Sequence, residues 1–192
     1  MKIQVYEEPW RHVVIDDTYD ETLLEEFVKE VKMNLKNPEY YVQHKNNAVQ
    51  SIYHTNNNLY EAKNVLFHRS KSLLNSVDFG EAFMKTHFSD YRSYDNLSKL
   101  GESIMCIGET SYPIHDESEN KIMSCVTYIS PEKSNGTLLY DKDKNFVKEI
   151  EWKQNRTLIF CALDNVTWHA YKSTGKSFRL TLNTFLVENG IN

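Results

Sequence analysis

Cysteine is scarce in this 192-residue sequence, which has only Cys106, Cys125 and Cys161. The number is odd and no pair has C-x-x-C spacing, so the pattern argues against a disulfide framework and against a zinc knuckle. All three cysteines lie in apolar, β-like runs, where a free thiol behaves as a small core side chain. We therefore expect buried, reduced cysteines.

Long apolar runs and basic runs are also missing. No apolar stretch approaches the ~20 residues of a membrane-spanning helix, and the N-terminus, MKIQVYEEPW, lacks the apolar part of a signal peptide. We therefore expect a cytoplasmic protein with no membrane association. The formal net charge is −5, and no lysine- or arginine-rich run is present, so nucleic acid is not favoured as a partner.

Hydrophobic residues make up 40% of the chain and aromatic residues 12%. This is enough for the core of a single domain over residues 1–192. The N-terminal part, residues 1–98, begins with two short apolar runs at 2–6 and 12–15, which fit either one hairpin or two separate strands.

Most of this N-terminal half is predicted to be helical. Apolar residues recur at helical spacing from about 19 to 35, where Thr18 and Glu21 have the spacing of a capping box. Further helices are predicted at 59–75 and 78–90. We expect these helices to support the C-terminal half.

The polar stretch 37–58 is rich in asparagine and has no regular period. A loop of this length inside a domain is uncommon and is often functional. Two interpretations remain open for it, a substrate lid and an irregular surface excursion.

From residue 99 to 192 the pattern changes to short β-like runs separated by turn-forming residues. Eight or so such runs predict an antiparallel sandwich or barrel. The fold class is therefore mainly β with a helical N-terminal half (α+β). The predicted strands are 103–107, 112–117, 121–129, 137–140, 145–150, 157–162, 166–171 and 177–187.

His115 and Glu117 are the first candidates for chemistry. They lie two residues apart at the head of the stretch Tyr112–Ser130, and residues i and i+2 of a strand point to the same face. An imidazole and a carboxylate are thereby aimed at one point. The pair alone is a weak signal, because chance supplies H-x-E at strand ends.

His169 is the only histidine downstream of that pair. A single histidine in an apolar run is more often a core residue than a ligand, but a sandwich brings distant strands together. Two histidines and one carboxylate, with coordination positions left open, are the ligand set of a non-haem Fe(II) oxygenase. A metal site at His115, Glu117 and His169 is therefore our prediction.

Arg179, Thr181 and Asn183 share one face of the last predicted strand, and apolar residues occupy the other face. An arginine is costly to bury without a partner, and its guanidinium matches a carboxylate with two parallel hydrogen bonds. A small carboxylate ligand near the metal would supply that partner, with Thr181 giving a second contact. A surface arginine paired with a neighbouring acid is the alternative.

The order of these elements resembles the 2-oxoglutarate- and Fe(II)-dependent dioxygenases, and most of all their small prolyl-hydroxylase-like members in phages and bacteria. The resemblance covers the chain from about Pro9 to the C-terminus and is densest from 112 to 187. It rests on His115-Asp116-Glu117, His169, Arg179-Leu180-Thr181, the segments PWRHVVIDD and KIMSCVTYISP, and Asn135-Gly136-Thr137.

The resemblance implies a double-stranded β-helix core (jelly-roll or cupin-like) over residues 99–192. It implies Fe(II), 2-oxoglutarate and O2 as cofactor and cosubstrates. Arg179 and Thr181 would bind the distal carboxylate of 2-oxoglutarate. Tyr128 is either a further contact to that carboxylate or a core aromatic residue with a polar tip.

One departure concerns the metal carboxylate. The family usually has Asp where this chain has Glu117, which leaves Asp116 open as the ligand through a shift of one residue. Lys121, six residues after His115, favours Glu117 because family members often have a lysine there.

The implied reaction couples oxidative decarboxylation of 2-oxoglutarate to hydroxylation of an unidentified substrate. By analogy with prolyl hydroxylases, a peptide or protein side chain is the expected substrate class. The alternatives are a zinc-type hydrolase or isomerase with the same three ligands, and a non-catalytic binding module of the same fold.

Overall fold

The computed structural model describes residues 1–34, 42–43, 49–55, 76–88, 97–106, 109–117, 120–174 and 179–188. These parts of the chain contain two helices and twelve strands. The helices are α1 (Glu21–Asn34) and α2 (Glu81–His87). The strands are β1 (Lys2–Tyr6), β2 (His12–Asp16), β3 (Val42–Gln43), β4 (Val49–Thr55), β5 (Leu97–Cys106), β6 (Glu109–His115), β7 (Lys121–Ser130), β8 (Thr137–Tyr140), β9 (Phe146–Ile150), β10 (Thr157–Cys161), β11 (His169–Thr174) and β12 (Arg179–Glu188).

The strands form two antiparallel sheets. The larger sheet has the order β1-β2-β10-β7-β12-β5-β4-β3, and the smaller has the order β6-β11-β8-β9. β1 and β2 pair directly as a hairpin, with Lys2 opposite Asp16 and Tyr6 opposite His12. The hairpin alternative for the N-terminal runs is therefore the correct one.

At β10, the larger sheet is buried on both faces. Leu158 and Phe160 of β10 face the smaller sheet, where they pack in one cluster with Leu139 of β8. Ile159, between them, belongs to a second cluster on the opposite face, which includes residues of α2. Because successive side chains of a strand alternate between faces, a strand in this position must be apolar throughout, and β10 is buried at every position.

The residue that caps α1 lies two positions after the predicted cap, Thr18. The carboxylate of Asp20 accepts the backbone N–H groups of Thr22 (3.0 Å) and Leu23 (3.2 Å), so Asp20 caps the helix. The Thr18 hydroxyl instead donates to the carbonyl of Ile15 (3.2 Å) and accepts a hydrogen bond from Thr157 (2.9 Å). The predicted capping box is therefore wrong, because Thr18 is used to join two strands of the sheet.

The prediction of a helical N-terminal half is not confirmed. In the described residues up to position 98, α1 and the shorter α2 are accompanied by β1, β2, β3 and β4, all of which belong to the larger sheet. β3 and β4 lie inside the stretch 37–58, so irregular backbone is the wrong prediction for them. The helix predicted at 59–75 lies outside the described residues, and the lid role of 37–58 stays a prediction.

Cys125 and Cys161 are buried and form no disulfide, as predicted. Within the described segments, no helix combines the length and the apolar character that crossing a membrane requires.

Candidate active site

A cavity of about 270 Å³ lies between the two sheets and collects most of the residues singled out in the sequence. Strands β6, β8 and β11 of the smaller sheet and β7 and β12 of the larger sheet contribute to its wall. The lining residues are Tyr112, His115, Asp116, Glu117, Lys121, Val126, Thr137, His169, Tyr171, Arg179, Thr181, Asn183 and Phe185.

The two predicted histidine ligands meet across neighbouring strands. His115 of β6 is the register partner of His169 of β11, and their ring centroids are 4.2 Å apart. Nδ1 of His115 lies 2.8 Å from the carbonyl of Pro113, and Nδ1 of His169 lies 3.0 Å from that of Thr167. A carbonyl only accepts, so each Nδ1 carries the proton and each Nε2 is left as the nitrogen that can bind a metal.

His169 is held in its neutral form. Burial, and secondarily the neighbouring His115, lower its pKa to about 4. A neutral imidazole with Nδ1 protonated presents a lone pair at Nε2, which is the form that a metal ligand needs.

Glu117 follows β6 and places its carboxylate beside His169. Its Oε1 lies 3.7 Å from Nε2 of His169, and its side chain is only 6% exposed. Ser124 donates a hydrogen bond to Oε1 (2.6 Å) and Lys121 donates to Oε2 (2.7 Å). Burial alone would raise the pKa of this carboxyl, but the charge of Lys121 and these hydrogen bonds outweigh it and lower the pKa.

The Asp116 carboxylate is hydrogen-bonded to the backbone of a turn. Its Oδ2 accepts the backbone N–H of Asn165 at 2.8 Å, in an exposed turn after β10. Asp116 borders the cavity, but Glu117 is the carboxylate that the structure places against His169 and that forms an ion pair inside the cavity.

The imidazoles of His115 and His169 and the carboxylate of Glu117 are chemically suited to binding a divalent metal. Within the described residues, no group of three or more His, Cys, Asp or Glu is arranged to hold a metal ion as it stands. However, Nε2 of His169 and Oε1 of Glu117 are both acceptors and face each other at 3.7 Å. A cation between them would turn this unfavourable pair into two ligands, and imidazole and carboxylate are ligands that iron accepts.

Arg179 is among the largest fully buried side chains of the described chain, with 1% of its surface exposed. Its guanidinium carbon lies 4.2 Å from the ring centroid of Tyr171, 5.1 Å from that of Trp152 and 6.0 Å from that of Tyr128. Its Nε has no hydrogen-bond partner. Among the described residues no carboxylate pairs with it, so the surface-arginine alternative is wrong and the cavity contains a cation that lacks an anion.

Thr181 and Asn183 follow Arg179 along the same face of β12 and also line the cavity. Thr181 is buried, and Oδ1 of Asn183 is buried without a hydrogen-bond partner. A buried polar atom of this kind is costly unless a ligand satisfies it. A polar ligand in the cavity would satisfy this atom.

Tyr128 does not line the cavity. Its hydroxyl lies 2.8 Å from the Thr137 hydroxyl, to which it donates, and it accepts the Thr137 N–H at 3.0 Å. Its ring stacks on Trp152 at 4.6 Å. These contacts give Tyr128 a supporting position behind Thr137 and Arg179, and its contact with a cosubstrate stays a prediction.

Sequence reasoning missed Tyr171 and Tyr112. Their rings stack at 5.6 Å, and Tyr112 also meets His115 edge-on at 4.6 Å. Tyr171 comes two residues after His169, so the alternation of side chains along a strand would have predicted that it shares a face with His169. Tyr112 has no such signal, because a bulge between β6 and β11 shifts the register at this point.

No protein-family model matches the sequence, and no curated protein matches it. Solved structures do match this chain. A prolyl-4-hydroxylase from Pseudomonas putida has a TM-score of 0.64 at 9% identity and covers 93% of both chains. The chain has the fold of the 2-oxoglutarate-Fe(II) oxygenases.

Two further solved structures agree. A prolyl hydroxylase from Trichoplax adhaerens, in complex with a peptide fragment of the hypoxia inducible factor oxygen degradation domain, has a TM-score of 0.65 at 13% identity, covering 92% of this chain and 83% of its own. A viral collagen prolyl hydroxylase from Paramecium Bursaria Chlorella virus-1, as a 2OG complex, gives 0.59 at 10%, covering 93% and 96%. The fold that the resemblance implies is confirmed, and the two antiparallel sheets form a jelly roll.

Proposed function

We propose that this protein is an Fe(II)- and 2-oxoglutarate-dependent dioxygenase that hydroxylates an organic substrate. One observation carries the proposal: a single cavity is lined by two neighbouring histidines, one with its Nε2 beside a buried carboxylate, and by a buried arginine that pairs with no carboxylate of the described residues. A metal would be bound by the histidines and the carboxylate, and a dicarboxylate ligand would pair with the arginine.

In this proposal, His115, Glu117 and His169 hold Fe(II), and Arg179 pairs with the distal carboxylate of 2-oxoglutarate while Thr181 donates to it. When bound, the metal and cosubstrate supply the oxidative step, in which O2 gives one oxygen atom to succinate and the other to the substrate, with release of CO2.

The protein residues orient and shield these groups. Tyr171 and Trp152 cover the guanidinium of Arg179, which keeps water from competing for its hydrogen bonds. Nδ1–H bonds to backbone carbonyls fix both imidazole rings before any metal arrives, and such outer contacts raise metal affinity.

A peptide or protein side chain is the substrate class that we propose. The support is the peptide complex of the Trichoplax adhaerens enzyme, whose fold this chain shares. Because one fold carries many functions, the reaction must be tested before the substrate.

The test is succinate formation under air with Fe(II), 2-oxoglutarate and ascorbate, measured by mass spectrometry. We expect slow, uncoupled succinate release that His169→Ala and Arg179→Met both abolish. Peptide libraries would then be screened for a gain of one oxygen atom that depends on His169.

Ligand-dependent melting separates the alternatives, because a ligand that binds the native state raises its melting temperature. We expect Mn(II) and 2-oxoglutarate together to raise it more than either alone. Stabilisation by zinc with no response to 2-oxoglutarate would favour the hydrolase or isomerase. Binding of 2-oxoglutarate without any succinate would favour the non-catalytic module.

A further inference from the structure

Glu117 carries one more methylene than the aspartate usual at this position, and the structure provides two donors for the longer side chain. Ser124 donates to Oε1 at 2.6 Å, and Lys121 donates to Oε2 at 2.7 Å. The two oxygens are therefore held separately. Oε1 is also the oxygen that faces Nε2 of His169, at 3.7 Å.

Ser124 is held by its burial, and Lys121, whose side chain is 24% exposed, is held by an aromatic contact. Ser124 is fully buried on β7, with Phe160 of β10 and Phe185 of β12 as its register partners. The Lys121 ammonium lies 3.8 Å from the ring centroid of Phe185. Together, this hydroxyl and this ammonium set the position of the Glu117 carboxylate.

An aspartate would not reach this place. Removing one methylene withdraws the carboxylate by about 1.5 Å, the length of a carbon–carbon bond. Hydrogen bonds of 2.6 and 2.7 Å would then stretch to about 4 Å, beyond hydrogen-bonding distance. The donors thus match glutamate and do not match the shorter residue.

We propose that Ser124 and Lys121 are positioning residues that adapt this metal site to glutamate. Lys121 occupies Oε2, so that Glu117 offers the metal a single oxygen, Oε1, and Ser124 sets the position of that oxygen relative to His169. This inference rests on the proposed function, because it assigns Glu117 as a metal ligand.

The test is the dissociation constant of Mn(II), followed by the EPR signal of the free ion in the absence of 2-oxoglutarate. We expect Ser124→Ala to weaken Mn(II) binding roughly 10-fold, the scale on which contacts behind a metal ligand act. Glu117→Asp should weaken binding at least as much. In the Glu117→Asp background, Ser124→Ala should add no further loss, because the hydroxyl no longer reaches the carboxylate.

Ser111→Ala is the matched control, since Ser111 is an exposed serine on β6 that does not line the cavity, and it should leave the Mn(II) dissociation constant unchanged. Melting curves of the metal-free variants check folding. If Ser124→Ala fails to fold, Ser124→Cys keeps a similar volume with a much weaker donor and should also weaken Mn(II) binding.

Two results with the Glu117→Asp variants would overturn the inference. One is Mn(II) binding by Glu117→Asp that equals or exceeds that of the unaltered protein, and the other is an equal loss from Ser124→Ala in both backgrounds. Glu117→Gln tests the proposed function separately. If it leaves Mn(II) binding unchanged, Glu117 is not a ligand and the metal site itself is wrong. If Glu117→Gln weakens binding and Ser124→Ala does not, only the adaptation to glutamate fails.

Discussion

Arg156 and Arg179 show how differently one side-chain type is used in two parts of the same sandwich. Arg156 donates from Nε to Oδ1 of Asp16 (2.7 Å), from a terminal nitrogen to Oδ2 (3.2 Å), and to the carbonyl of Glu151 (2.8 Å). Arg179 is more deeply buried, yet its Nε has no partner and aromatic rings surround it. We infer that Arg156, which is satisfied within the chain, serves the fold, and we propose that Arg179, whose Nε is unsatisfied in a cavity, serves a ligand.

The largest expected effect is the loss of cosubstrate binding in Arg179→Met. Removing one partner of a buried charge pair costs about 3 kcal/mol, so the dissociation constant of 2-oxoglutarate with Mn(II) should rise roughly 100-fold. Without ligand, the melting temperature should stay unchanged or rise, since a buried charge without a partner is removed. Isothermal titration and thermal melting give both quantities. A lower melting temperature with unchanged binding would make Arg179 a structural arginine like Arg156.

Arg156→Met should give the opposite result. Loss of hydrogen bonds to a charged group should lower the free energy of unfolding by about 2 kcal/mol, measured by urea denaturation. The 2-oxoglutarate dissociation constant should change less than twofold, because Arg156 does not line the cavity. A large loss of binding with normal stability would break the distinction between the two arginines.

Tyr171→Leu should produce a smaller change. The Tyr171 ring lies 4.2 Å from the Arg179 guanidinium carbon, and such a contact contributes about 1 kcal/mol. We expect the 2-oxoglutarate dissociation constant to rise about fivefold, with Tyr171→Phe close to the unaltered protein. If the phenylalanine variant loses as much as leucine, the hydroxyl and not the ring is the important part.

The smallest effect is a pH dependence of the Arg156 contribution. Hydrogen bonds from Arg156, more than any other cause, lower the pKa of the Asp16 carboxyl. As the pH falls, Asp16 is therefore protonated in the unfolded chain at a higher pH than in the folded protein. The pair with Arg156 stabilises the fold above the unfolded-state pKa, which is near 4. The stability difference between the unaltered protein and Arg156→Met should be constant from about pH 7 to 5. It should shrink as the pH falls through the folded-state pKa, and a difference that grows with acid would contradict the pairing.

The C-terminal sandwich was largely predictable from the sequence, because period-2 patterns and turn residues mark its strands. The predicted strands 121–129 and 157–162 correspond to β7 and β10 almost residue for residue. The gathering of His115, Glu117, His169 and Arg179 in one cavity followed from the same patterns and the family resemblance.

What the sequence did not reveal depends on contacts between distant parts of the chain. Thr18 matches a helix cap locally, but its hydroxyl is bound to β10, so Asp20 takes the cap. β4 has a polar sequence that predicts a loop, yet it pairs along its length with β5. Tyr128 has the position of a ligand contact in its strand, and only the structure shows its hydroxyl bound to Thr137.

The position of Thr137 depends on Gly136, the residue before it. A Cβ on Gly136 would overlap the carbonyl of Ile150, so only glycine lets this turn approach β9 so closely. The Gly136 N–H donates to the Glu149 side chain at 2.6 Å. The glycine of the Asn135-Gly136-Thr137 motif is thus required by close packing beside the cavity.

β12 pairs along most of its length with β5 on one side and with β7 on the other. Its backbone amides are therefore bonded within two ladders, and Arg179, Thr181 and Asn183 stand on a strand that cannot detach without disrupting both. Hydrogen exchange at β12 should accordingly be among the slowest in the molecule. The face that carries these three residues would then persist until global unfolding, so that loss of the proposed cosubstrate on heating would report the melting of the whole sandwich.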